Sequence, residues 1–122
     1  KDHPLAKRKK IDLRETSSYP YITYGETSGL YSHMKKLFDE SGFEPNVKCR
    51  IQEDHTIFGF VENGYGIAVV PKLRTISSFD IVPITIEKPV IKRSVYLVTS
   101  KDRKLAPAPQ KFLEYIQKSC QY

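Results

Sequence analysis

At 122 residues the chain has the length of one ordinary domain, and a hydrophobic share of 39% excludes disorder along its whole length. No apolar run reaches the roughly 18 residues a membrane-spanning helix needs, and the basic start lacks the apolar segment of a signal peptide. The net charge is +6, and Lys1, Lys7, Arg8, Lys9 and Lys10 against Asp2 place much of it at the start, where a short basic stretch reads as a solvated surface before a nucleic-acid contact.

In chain order, Pro20 to Tyr24 is β-branched and aromatic and runs into Gly25, as a strand does. Leu30, Met34, Leu37 and Phe38 then recur at one-face helical spacing, which predicts a helix from Ser28 to Ser41, capped by Thr27 or Ser28 and ended by Gly42. Val47, Cys49 and Ile51 alternate with Lys48 and Arg50, the pattern of a strand buried on one side. A second helix is predicted with Asp54 as its N-cap, an apolar face of Ile57, Phe58 and Val61, and Gly64 at the left-handed C-terminal position.

The continuous run Ile67-Ala68-Val69-Val70, stopped by Pro71, predicts a parallel strand buried on both faces. Two further strands are expected at Ile81 to Ile86 and Ser94 to Thr99. A last helix is expected at Pro107 to Ser119 with Phe112, Leu113 and Ile116 inward and its prolines in the first turn. Strands alternating with helices give an α/β fold class with a mostly parallel sheet flanked by helices. Cys49 and Cys120 are too far apart for a CxxC site, and two cysteines make no disulfide framework, so both are expected as reduced thiols in a cytoplasmic protein.

In such sheets ligands gather where strands end and helices begin, which selects two turns. The first is Tyr24-Gly25-Glu26-Thr27-Ser28-Gly29, where free N–H groups, a helix dipole and two hydroxyls form a seat for a small anion. Ordinary capping explains the same residues, and neither phosphate-binding glycine spacing occurs. The second is Gln52 to Thr56, where Glu53 can receive a hydroxyl or amine and Asp54 serves as the cap. His3, His33 and His55 fall in no metal-ligand spacing, no nucleophile elbow is present, and no cofactor or catalytic residue is assigned.

The residues His3-Pro4-Leu5-Ala6, Ile11-Asp12-Leu13 and Tyr21-Ile22-Thr23-Tyr24 come first in a longer series. Glu53-x-x-Thr56 follows, then Phe60-Val61-x-x-Gly64-x-Gly66-Ile67-Ala68-Val69-Val70-Pro71. With Arg93 to Val98, Pro107 and Phe112, the series resembles the effector-binding domain of LysR-type transcriptional regulators over nearly the whole chain. The resemblance implies one lobe of a type 2 periplasmic-binding-protein-like fold. Residues 1–92 would be the second lobe, and 93–122 a returning strand and helix that pack toward a first lobe.

The family pattern further implies a DNA-binding helix-turn-helix, a linker helix and most of the first lobe outside this sequence. The chain is therefore expected to be a piece of a longer, non-enzymatic bacterial regulator that forms homo-oligomers and touches DNA only through that motif. Carried over by position, Tyr24, Gly25, Glu26, Thr27, Ser28 and Gly29 correspond to second-lobe effector contacts, with Glu53 and Thr56 on the facing wall. Tyr24 would pack on the ligand, while Glu26 places a negative charge in the anion seat and admits a hydroxyl- or amino-bearing effector. Phe112, Leu113 and Ile116 would lose their usual seat and cover this lobe or a neighbouring chain. The alternatives are a solute-binding protein of the same two-lobe fold, an enzyme on that fold, and a nucleic-acid binder using the basic start.

Overall fold

The computed structural model describes residues 2–119, with elements in the order β1 (Lys10–Asp12), β2 (Pro20–Tyr24), α1 (Tyr31–Ser41), β3 (Asn46–Ile51), α2 (Asp54–Glu62), β4 (Thr85–Lys88) and α3 (Pro107–Ser119). Short 3-10 turns cover Pro4–Lys7, Leu13–Thr16 and Arg74–Ser78. The chain divides into two compact units, one ending at Lys92 and the other beginning at Arg93.

Strand β2 is the centre of the first unit. Tyr21, Ile22, Thr23 and Tyr24 are all buried, because the strand is covered on both faces as well as paired. On one edge it pairs in parallel with β3 from Pro20 opposite Asn46 to Tyr24 opposite Ile51, with a register shift after Tyr21. On the other edge Ile22 N–H donates to Ile67 O at 2.8 Å and Ile67 N–H to Pro20 O at 2.9 Å. Tyr21 meets Phe38 of α1 edge to face with ring centres 5.2 Å apart, and Phe38 meets Phe43 at 5.5 Å. Such pairs add about 0.5–1.5 kcal/mol beyond area burial. The Tyr24 hydroxyl, on the alternate face, reaches Asp54 at the start of α2.

The Tyr21 hydroxyl shares a hydrogen bond with Thr16, whose own Oγ1 reaches Leu13 O. Burial pushes the Tyr21 phenol up to about 12 despite that bond, so it stays neutral and packs as part of the core. Helix α1 buries Met34, Leu37, Phe38 and Ser41, one face at helical spacing. It ends at Gly42, whose φ of 74° is the left-handed conformation that favours glycine, with its N–H on Asp39 O. Gly64, with φ 77°, follows α2 in the same way and donates to Val61 O.

Several elements differ from the sequence expectations for identifiable reasons. Helix α1 starts at Tyr31 and not at Ser28, because the residues before it are spent on turns closed by Ser28 N–H to Gly25 O and Tyr31 N–H to Ser28 O. Leu30 is its N-cap, without a side-chain cap. Helix α2 has Glu53 rather than Asp54 at the N-cap, and Asp54 is its first residue. Ile67 forms a single parallel bridge to Tyr21 and the run 67–70 is half-buried, so it packs on the core as an irregular segment rather than a doubly covered strand.

The strand expected at Ile81 to Ile86 is confined to Thr85–Lys88, since Pro83 lacks the N–H a ladder needs. Its pairing begins with Thr85 N–H on Lys9 O and runs in parallel along β1, a three-residue strand with one buried apolar residue, Ile11, and too short to read from periodicity. Beside β1, Asp12 caps the turn Leu13–Thr16 in a capping box with Glu15.

In the second unit α3 spans Pro107–Ser119 as expected, but it has no buried residue: Phe112 is 60% exposed, and Leu113 and Ile116 are half-buried. Ser94 to Thr99 forms no strand. An extended segment needs a neighbour to receive its N–H and C=O groups, and among the described residues from 93 to 119 there is no strand for it to pair with. Val95, Tyr96 and Val98 are exposed in consequence. Cys49 is a free, half-buried thiol, whereas Cys120 lies outside the described residues. No described helix is long and apolar enough to cross a membrane.

Two predictions follow from this packing. A Cβ on Gly66 would stand 2.6 Å from the carbonyl oxygen of Pro20, a backbone atom that cannot swing aside and that also accepts the Ile67 N–H. Gly66→Ala is expected to lower the stability of the folded domain by about 1–3 kcal/mol, visible as a lower urea midpoint at unchanged slope. The second concerns Asp12, whose carboxyl is held down to about 2, first by the side-chain hydrogen bond from Arg14 and then by the Arg14 backbone N–H. Because the folded value lies below the ordinary 3.8, the stabilisation is present above that value and is lost as pH falls through about 2. An NMR titration should place Asp12 near about 2, and Arg14→Gln should move it up.

Candidate functional site at two adjoining strand-to-helix turns

The carboxyl ends of the parallel strands β2 and β3 lie side by side, so the turn that follows each of them opens at the same place. The two turns are coupled directly by hydrogen bonds. Gly25 N–H donates to Ile51 O at 3.1 Å, which extends the β2–β3 ladder into the first turn. Tyr24, 1% exposed, uses its hydroxyl on Asp54 Oδ1 across the same junction. The phenol thereby fixes the start of α2 against the end of β2. Tyr24 is consequently part of the core and holds the site in place, rather than presenting its ring to a ligand.

Gly25 is buried, whereas Glu26, Thr27 and Gly29 are exposed and Ser28 is half-buried. Ser28 is already engaged: its N–H goes to Gly25 O and its Oγ accepts the Leu30 N–H at 3.2 Å. This hydroxyl shapes the turn as an ST-motif and leaves Thr27 as the exposed hydroxyl of the turn. The space beyond the Gly29 Cα is open. Past it, the first turn of α1 directs its N–H groups and the positive end of its dipole outward. Glu53 and Thr56 are both exposed, Glu53 as the N-cap of α2 and Thr56 within its first turn. His55 is exposed as well and lies flat on Phe79 with ring centres 6.0 Å apart.

Two residues outside the sequence-based set belong to this neighbourhood. The Gln52 side chain lies over Gly25 so closely that a Cβ there would stand 2.2 Å from its Nε2. The signal for it in the sequence was a glycine directly after a strand, which marks a close approach without saying of what. Arg50, read from alternation as a solvent-facing strand residue, carries its guanidinium over the Tyr31 ring at 5.5 Å, beside the beginning of α1. It is a cation–π contact worth about 0.5–1 kcal/mol at an exposed position. Among the described residues no group of three or more His, Cys, Asp or Glu side chains converges as a metal site would.

The arrangement thus offers backbone N–H donors and the Thr27 hydroxyl on one turn. On the other it offers the carboxylate of Glu53 and the hydroxyl of Thr56, with the Gln52 amide between. Such a set can hold a small polar molecule with an anionic end and hydroxyl groups. Tyr24→Phe is expected to lower stability by about 1 kcal/mol, the worth of one largely buried hydrogen bond, as read from thermal or urea unfolding.

A family model described as the LysR substrate binding domain matches residues 1–121. The uncharacterized HTH-type transcriptional regulator YybE of Bacillus subtilis is 30% identical over 115 residues, which are 94% of this chain and 39% of that protein. The transcriptional dual regulator GltC of the same species is 30% identical over 118 residues, with the same coverage of 94% and 39%. The chain therefore spans well under half the length of these relatives. Among solved structures, the effector binding domain of QuiR in complex with shikimate superposes with a TM-score of 0.87 and 34% identity, covering 98% of this chain and 59% of that one.

Proposed function

The chain belongs to the LysR substrate-binding domain family, and from that premise we propose that it senses a small hydroxylated, anionic metabolite for a DNA-binding transcriptional regulator. The observation that carries the proposal is the adjoining pair of turns: the Gly25–Ile51 bond and the Tyr24–Asp54 bond set Thr27 and the start of α1 next to Glu53 and Thr56. The likeness to a domain that binds shikimate, a hydroxylated carboxylate, supports the same chemical class. The ligand's anionic end goes to the N–H groups and Thr27 at the beginning of α1, with the Ser28 and Gly29 backbone beside it. Its hydroxyls go to Glu26, Glu53 and Thr56, acceptors that a second anionic group would meet unfavourably.

On this reading 1–92 is the second lobe of the effector domain, and 93–122, with helix α3, is the segment that returns toward the first. The exposed apolar residues Val95, Val98 and Phe112 support that division, since surface of this kind is normally covered. DNA is contacted through a helix-turn-helix elsewhere in the regulator, consistent with the HTH-type relatives, and the regulator acts as a homo-oligomer in the cytoplasm. Binding regulates transcription only insofar as the effector favours one arrangement of lobes or subunits over another.

The test is calorimetric titration of the intact regulator with shikimate. Wild type is expected to bind, and Thr27→Val, which keeps the shape and deletes the hydroxyl, is expected to weaken binding by about 5–10-fold. Wild-type binding unaltered by Thr27→Val would show that the ligand sits elsewhere. An absence of binding heat in wild type would remove the hydroxylated-carboxylate assignment.

A further inference from the structure

We infer that the Gln52 carboxamide is a specificity-determining group of the effector site, reading a hydroxyl of the bound metabolite, and that Gly25 lacks a side chain so that this amide can lie across the turn. The inference rests on the effector-binding reading above and adds to it the residue that selects among ligands.

The geometry is unusual for an exposed glutamine. An added Cβ on Gly25 would meet Gln52 Nε2 at 2.2 Å, Cδ at 3.1 Å and Oε1 at 3.6 Å, so the whole amide group is laid over the glycine with its nitrogen innermost. The backbones beneath it cannot separate, because Gly25 N–H is bonded to Ile51 O, the residue before Gln52. The amide itself has no hydrogen-bond partner among the described residues. Nothing among the described residues uses its donor or its acceptor, so both are available to a ligand that reaches the turn.

The surrounding charges define what this amide can do. Glu26 on one turn and Glu53 on the other are exposed carboxylates, which accept hydrogen bonds but cannot donate them. Gln52 is a neutral side chain that, unlike them, does both, and it is the one that lies across Gly25. A ligand hydroxyl also does both, so it can accept from Nε2 while donating to a carboxylate, whereas a methylene at that place leaves the amide unpaired. A site that hydrogen-bonds a hydroxyl discriminates strongly against the analogue without it.

The test uses the intact regulator and two probes, shikimate and cyclohex-1-ene-1-carboxylate, which shares the ring and the carboxylate but has no hydroxyls. Wild type is expected to prefer shikimate by at least about tenfold, and Gln52→Ala to cut that ratio by about 5–10-fold while changing affinity for the deoxy probe little. Gly25→Ala displaces the amide without deleting it and should cut the ratio similarly. The double variant should then match Gln52→Ala alone, because the effect of Gly25→Ala runs through the amide. Thermal unfolding of each variant verifies folding, and Gln52 is exposed, so its loss should shift the midpoint little.

If wild type binds both probes and Gln52→Ala leaves the ratio unchanged, the inference is overturned while the effector reading stands. A Gly25→Ala effect that persists in full on the Gln52→Ala background also overturns it, since the glycine would then act by itself. Wild type that binds neither probe removes the hydroxylated-carboxylate assignment, and this inference with it.

Discussion

Strand β2 must satisfy two faces and two edges at once, and the remainder of residues 1–92 is arranged around that requirement. Its four buried residues alternate between Tyr21 and Thr23 on one side and Ile22 and Tyr24 on the other. Each tyrosine brings a large apolar body and a polar tip that must be bonded when buried. The two tips are served from opposite directions, Tyr21 by Thr16 and Tyr24 by Asp54. The first bond anchors the segment that leads into β2, the second anchors the helix that leaves β3. Because hydrogen bonds are directional and hydrophobic contact is not, these tips fix the orientation of layers that apolar packing alone leaves free to slide.

The same arrangement explains why the candidate site lies at the carboxyl end of β2 and not along the strand. Inside the sheet every backbone group is committed to a ladder, and every side chain of β2 is committed to a helix or the neighbouring core. Commitment ends at Gly25, the last residue bonded to the β3 segment. Beyond it Glu26, Thr27 and Gly29 are exposed within a few residues of a rigid core, so their positions are set by the fold while their polar groups remain available. Rigid support beneath an exposed turn is what allows selective recognition at modest entropic cost.

Much of this was legible in the residues. The one-face helical spacing of Leu30, Met34, Leu37 and Phe38 located α1, the alternation through Val47, Cys49 and Ile51 located β3, and Gly42 and Gly64 marked helix ends by the conformation they adopt. The order and spacing of the motifs from Glu53 to Pro71 identified the family over the length that the family model matches. Element boundaries failed for local reasons, the turns before α1 and the proline before β4, whereas the strands misjudged altogether depended on partners distant in sequence. β1 exists because β4 lies beside it, more than seventy positions away, and Ser94 to Thr99 is no strand because the described residues from 93 to 119 hold no strand for it to pair with. Local pattern reports what a segment can pair with, not whether the pairing partner is there.

The candidate site illustrates the same limit at the scale of single side chains. Position relative to strand ends selected the two turns, and capping chemistry named Thr27, Ser28 and Asp54, but the division of labour among them was not readable. Ser28 turned inward to hold Leu30, and Asp54 was drawn to Tyr24, whose ring is buried, so two of the polar groups closest to the turn serve the fold. Within the two turns Glu26, Thr27, Gln52, Glu53 and Thr56 are left exposed, and the nearby cation, Arg50, is engaged on the Tyr31 ring. Three of these five turn residues carry acidic or amide side chains, and none of the five is cationic. For a ligand with an anionic end this puts the attraction on backbone N–H groups and the α1 dipole, fixed dipoles that contribute about 0.3–1 kcal/mol when exposed. Selectivity must then come from the hydroxyls that the remaining side chains can pair, which is why a glycine and a glutamine at the junction carry more information about the ligand than the charges around them.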